Sequence, residues 1–174
     1  MSVRLTVPLI VLALLGSAAG AAQNDWKEFS STEGRFRVLL PGKPEMQKQS
    51  VDTALGPQDL YMHRAVAGPL SYVVIYTDNP EAALKERGGD QFLDDVRDGF
   101  IRSIRGKLLT EKKATLDSNT GNELLVEAPN GINVVSRLCL VKNRLYQLIA
   151  IGPKEESAAP EVTWFFDSFK LVKP

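Results

Sequence analysis

The segment that most limits what this chain can become is Asn122–Ile151, NELLVEAPNGINVVSRLCLVKNRLYQLIAI. Three runs rich in Val, Leu and Ile are separated by Asn130-Gly131 and by Lys142-Asn143. Asn-Gly is a strong hairpin signal, because a type I′ turn needs positive φ at both central positions. Lys142-Asn143 is a weaker turn of the same kind. The segment therefore reads as a three-stranded antiparallel meander at the centre of a sheet. With two-residue loops at both places, Val126 lies opposite Val135 and Cys139 opposite Tyr146.

Side chains alternate between faces along a strand. One face then carries Leu124, Val126, Val135, Cys139, Val141, Tyr146 and Leu148, with Arg137 and Arg144 among them. The other carries Leu125, Val134, Leu138, Leu140, Leu145, Ile149 and Ile151, with Glu127 and Gln147 among them. Both faces are mostly apolar, whereas a sheet with one wet face alternates more cleanly. Each side of this sheet therefore needs a cover.

Two helices are available. Phe92, Leu93, Val96, Phe100, Ile101 and Ile104 recur at three- and four-residue spacing, which predicts a main helix over Gln91–Arg105 with one apolar stripe. Asp90 is its expected N-cap and Gly106 its stop. Glu161–Phe169 reads as a short C-terminal helix, opened by Pro160, with Val162, Phe165, Phe166 and Phe169 inward and Trp164 at the flank. If both helices share one face, the N-terminal segment or a partner must close the other.

The remaining strands are read from alternation and breakers. Arg35–Leu40 is a strand ended by Pro41-Gly42-Lys43-Pro44, since proline cannot donate to a ladder. Glu45–Thr53 is polar and suits an exposed edge. Asp59–Val66, Ser71–Thr77 and Lys107–Leu116 read as further strands. Asp78–Gly89 is a connector with a helical turn at Glu81–Glu86, and Asp117–Gly121 is a turn into the meander.

Residues 1–22 have a signal-peptide pattern. Arg4 precedes an apolar run, Leu5–Leu15, and a small-residue stretch containing Ala19-Gly20-Ala21. The apolar run is short for a membrane span, and no later stretch is long and apolar enough to be one. Residues 23–174 read as a single globular α+β domain that is exported, either to a periplasm or to the extracellular medium. Lys plus Arg and Asp plus Glu are 21 each, with no clustered basic surface of the kind a nucleic acid needs. The chain has 1 Cys, so an intrachain disulfide is excluded and the core must supply stability.

The layout of Trp26–Pro44, WKEFSSTEGRFRVLLPGKP, runs from a Phe through a Gly to an alternating strand ending in Pro. Strands, one long helix, the meander and a closing aromatic helix with Phe165, Phe166, Ser168 and Phe169 follow. In this order the chain resembles the PsbP/Mog1-like group, including uncharacterised exported bacterial proteins of that fold. The resemblance spans most of residues 23–174. It implies an α+β fold with an antiparallel β-sheet flanked by helices, an α/β/α sandwich. Members of the group act mainly as binding or assembly modules, among them a photosystem II extrinsic subunit and a small-GTPase binder. No residue here transfers either role.

Candidate chemistry is sparse. His63 is the only histidine. Catalysis would need it beside a Ser, Cys or carboxylate, and no nucleophile elbow or oxyanion loop accompanies it. Cys139 lies mid-strand on an apolar face, where a thiol is usually inert packing. Asp90, Asp94 and Asp98 line one helix side, with Asp95 adjacent. That row could face a divalent cation, but it also suits the helix dipole and surface pairing of Asp94 with Arg97 and Asp98 with Arg102. Gly88-Gly89 precedes a helix start, where Asp90 opposes phosphate.

The expected function is an exported, non-catalytic binding or assembly domain, with no catalytic, cofactor-binding or metal residues assigned and no cofactor. Its partner is a protein or a small ligand. The alternatives are a small-ligand carrier with a cleft between sheet and helix, and a hydrolase using His63 with Asp or Ser partners.

Overall fold

The computed structural model describes residues 26–53 and 56–172. The signal-peptide reading of residues 1–22 lies outside them, as does part of the turn expected at Ala54–Pro57.

The chain forms β1 (Trp26–Ser31), β2 (Phe36–Pro41), β3 (Glu45–Thr53), β4 (Gly56–Ala67) and β5 (Leu70–Asp78). Next come α1 (Glu81–Arg87), α2 (Gly89–Ser103), β6 (Lys107–Leu116), β7 (Asn119–Ala128), β8 (Ile132–Val141) and β9 (Arg144–Pro153). It closes with α3 (Pro160–Ser168) and β10 (Lys170–Leu171). A seven-stranded antiparallel sheet has the order β3-β4-β5-β9-β8-β7-β6, and a three-stranded sheet has the order β1-β2-β10. The meander β7-β8-β9 sits inside the larger sheet, as its two apolar faces require.

Each face has its own cover. On one side α1 and α2 bring Leu84, Phe92, Leu93, Phe100 and Ile104 onto Val73, Leu124, Val126, Val134, Leu138 and Ile149. On the other side β2 and α3 bring Phe36, Val38, Leu40, Val162, Phe165, Phe166 and Phe169 onto Tyr72, Val74, Tyr76, Tyr146 and Leu148. The two expected helices thus lie on opposite faces. The α+β class with an antiparallel sheet stands. The cover on the α3 side is not helix alone, because α3 shares it with the second sheet, and the helical turn expected at Glu81–Glu86 is the full helix α1. The physical reason is the alternation in β2, where Phe36, Val38 and Leu40 are all 0% exposed.

The first meander turn also departs from expectation. Pro129–Gly131 forms a three-residue 3-10 turn, with Asn130 at φ 64 and Gly131 at φ 72. Ala128 therefore pairs with Ile132, and Val126 faces Val134 rather than Val135. This slip moves Leu124 and Val126 onto the helix face. The second turn has two residues, with Lys142 at φ 57, and Cys139 pairs with Tyr146 as expected. The turn before β7 is shorter than Asp117–Gly121: only Asp117 and Ser118 form it, both at positive φ, and Leu116 pairs directly with Asn119.

At the start of α2, Gly88 replaces Asp90 as the cap. Its amide closes α1 on the Leu84 carbonyl at 2.9 Å, and its carbonyl accepts from Phe92 at 3.0 Å to open α2. Its φ of 82 is a value that favours glycine. At the other end Arg105 takes the left-handed conformation, φ 52, and Gly106 N–H donates to Ile101 O at 2.9 Å. Gly106 is needed for space, because a Cβ there would collide with Val126.

Candidate functional site

The candidate chemistry can be placed on this scaffold. A straight cross-strand row runs Lys48, Tyr61, Tyr76, Tyr146, Cys139, Gly121 over six strands. Tyr61 and Tyr76 stack at 4.8 Å. Lys48 covers Tyr61 at 5.1 Å and Arg144 covers Tyr76 at 4.9 Å. Asp78 holds Arg144 through two contacts of 2.7 and 2.6 Å. Tyr146 donates to Gly34 O at 2.8 Å. The Tyr146 hydrogen bond ties the β1–β2 turn to the large sheet, while the buried Tyr76 hydroxyl has no hydrogen-bond partner among the described residues.

His63 lies beside this row, between the two sheets. It is 2% exposed, and neither ring nitrogen has a hydrogen-bond partner. Its neighbours are the rings of Phe29 at 5.0 Å, Phe36 at 5.5 Å and Tyr76 at 6.1 Å. No Ser, Cys or carboxylate reaches it as a hydrogen-bond partner. Cys139 is three strands away, roughly 14 Å or more. A base must hold its nucleophile within hydrogen-bond reach, and this imidazole holds none.

Burial lowers the His63 pKa below the ordinary histidine value, and the Glu33 carboxylate opposes that only in part. Above the unfolded value of about 6.5 the ring is neutral folded or unfolded, and its contribution is constant. As pH falls below that value, the unfolded chain takes up a proton that the folded chain resists. Stability must therefore decline from about pH 6.5 downward, until the folded pKa is passed. Urea midpoints of the parent should fall between about pH 6.5 and pH 5, while those of His63→Phe should be nearly flat over that interval. Equal slopes would contradict the assignment.

Cys139 is 0% exposed, and burial pushes its thiol up to about 11. It is a packing residue in the neutral form. Three of the four helix carboxylates are held by arginine: Arg97 contacts Asp94 and Asp98 at 2.8 Å, and Glu111 of β6 at 3.1 Å, and Arg87 contacts Asp95 at 2.8 Å, while Asp90 is exposed at the helix start. Arg97 thus takes Asp98, which the sequence pairs with Arg102.

A different feature is exposed. Trp164 on α3 is 53% exposed and meets Trp26 edge-to-face at 6.5 Å. Trp26 in turn packs edge-to-face on Tyr72 at 5.0 Å. These are the only 2 tryptophans of the chain, and they form one corner where β1 meets α3. Sequence reasoning placed Trp164 at the helix flank without assigning it a role. Its signal was the phase: it is out of step with Val162, Phe165, Phe166 and Phe169.

The corner is held rigidly. Arg137 contacts Glu123 at 2.6 Å and Asp167 at 2.9 Å, lies 4.9 Å from the Phe166 ring, and so clamps α3 to the sheet. Burial would raise the Glu123 pKa, but Lys112 and Arg137 hold it below the ordinary value.

On the opposite face an open concavity of about 440 Å3 is lined by Glu81, Leu84, Lys85, Gly89, Leu140, Lys142 and Asn143.

Among solved structures, this arrangement is similar to the solution structure of cyanobacterial PsbP (CyanoP) from Synechocystis sp. PCC 6803, with a TM-score of 0.57 over 90% of this chain and 98% of that chain. The fold is PsbP-like. At 14% identity the PsbP likeness concerns the fold alone. No family model matches the chain, and no curated protein matches it. Among the described residues, no helix is long and apolar enough to cross a membrane.

Proposed function

We propose that this chain is an exported, non-catalytic binding or assembly domain built on the PsbP-like fold. Export is supported by the leader-like pattern of residues 1–22. The binding reading rests on one observation, the half-exposed Trp164 packed against Trp26 on a clamped helix. Tryptophan is strongly enriched among residues that dominate interface energetics. Burial of His63 and Cys139 favours binding over chemistry at those side chains.

Affinity capture of the tagged full chain from its own cell envelope should recover one partner in stoichiometric amount, and Trp164→Ala should abolish that recovery without changing the thermal midpoint. Recovery unaffected by Trp164→Ala would move the binding surface elsewhere, and no reproducible partner would count against the reading.

A second reading is a small-ligand carrier. It is favoured by the concavity of about 440 Å3 beside Leu84 and Leu140, a size within the range of small-molecule sites.

A further inference from the structure

The Trp26–Trp164 corner is bordered by negative charge. Between Lys154 and Asp167 the sequence holds Glu155, Glu156, Glu161 and Asp167 against the single cation Lys154. Arg137 takes Asp167, which leaves three carboxylates. Among the described residues Glu155, Glu156 and Glu161 form no ion pair, and Lys27, beside Trp26, is already engaged.

Two observations place Glu156 and Glu161 at the corner. Glu161 lies three residues before Trp164 on α3, hence on the same helix side. The Tyr72 hydroxyl, raised chiefly by burial, is raised further by the charges of Glu161 and Glu156, and Tyr72 is the ring against which Trp26 packs.

Building on the binding reading above, we propose that this corner docks a cationic segment of a partner protein, with a Lys or Arg head group over the exposed Trp164 indole and its neighbouring charges against Glu156 and Glu161. Trp is the strongest of the aromatic faces for a cation. Unpaired carboxylates beside it add attraction that draws positive partners and repels negative ones. An anionic surface or an acidic peptide is disfavoured by the same charges. A second copy of this chain would set these glutamates against themselves if it docked through the same corner.

Because both tryptophans lie in the corner, indole fluorescence reports on it directly. The full chain is titrated with a blocked short peptide of Lys and Arg spaced by Gly, and with Gln and Glu versions of the same peptide. The Lys/Arg peptide should give a saturable change that weakens severalfold when salt is raised past the physiological range. The Gln and Glu peptides should give none. Trp164→Ala, read through Trp26, should weaken binding at least tenfold, and Glu156→Gln/Glu161→Gln at least threefold with unchanged circular dichroism. Equal response to the Gln peptide, a response to the Glu peptide, or a signal that follows dilution of the protein alone would each overturn the proposal. Such a result leaves the capture experiment standing as the separate test of whether this is a binding domain at all.

Discussion

Gly121→Ala should cost at least about 3 kcal/mol of stability, at the severe end of what single substitutions do. A Cβ at Gly121 would collide with the Leu138 carbonyl oxygen and lie 2.9 Å from the Leu138 carbonyl carbon and 3.1 Å from Cys139 Cα. All three are backbone atoms of β8, so no rotamer change relieves the clash, and the β7–β8 ladder must open. In a domain of this size each kcal/mol corresponds to a shift of roughly 2–4 °C in the thermal midpoint. Gly131→Ala is the contrast. Gly131 has positive φ but nothing within 4 Å of a Cβ, so it should cost only about 1 kcal/mol. Calorimetry on both variants separates steric from conformational cost. Similar losses would show that the strands are not so closely apposed at Gly121.

Phe36→Ala should be comparably damaging, about 3–5 kcal/mol, with a distinct local signature. Phe36 is 0% exposed and stacks on Phe169 at 5.6 Å, while Tyr76 and Phe29 each lie 6.1 Å away. It is the side chain through which β2 grips both the large sheet and the end of α3. Its loss should raise amide exchange in β1, β2 and β10 more than in β7 and β8, since the meander has its own cover on the α2 side. It should also open the wall around His63 and reduce the acid sensitivity that the buried imidazole confers. Uniform deprotection of all strands would show that the small sheet does not open separately.

Much of this architecture was legible in the residues. The runs Glu45–Thr53 and Lys107–Leu116 carry their polarity because they are the two edges of the large sheet, and their observed bounds coincide with the expected ones. The phase of Phe92, Leu93 and Phe100 gave α2 and its buried face. What could not be read was set by tertiary packing or by fine turn geometry. Asn130-Gly131 signals positive φ correctly, but whether Pro129 joins the turn decides the register, and that single residue exchanged the faces of Leu124 and Val126. Gly106 looked like a conformational stop, yet its value lies in the space it leaves for Val126, a contact between elements. Trp26 and Trp164 lie far apart in sequence. Nothing local to either shows that β1 and α3 bring their rings together, so the exposed corner was invisible until the fold placed it.

The measurement closest to the central claim is site-directed photo-crosslinking in the native cell envelope. A photoreactive side chain is placed at Trp164, on the corner, or at Arg102, exposed on the opposite face in α2. The account predicts one discrete adduct from position 164 and none from position 102. An adduct that forms from position 102, with position 164 silent, would contradict it and shift the functional surface to the face covered by α1 and α2.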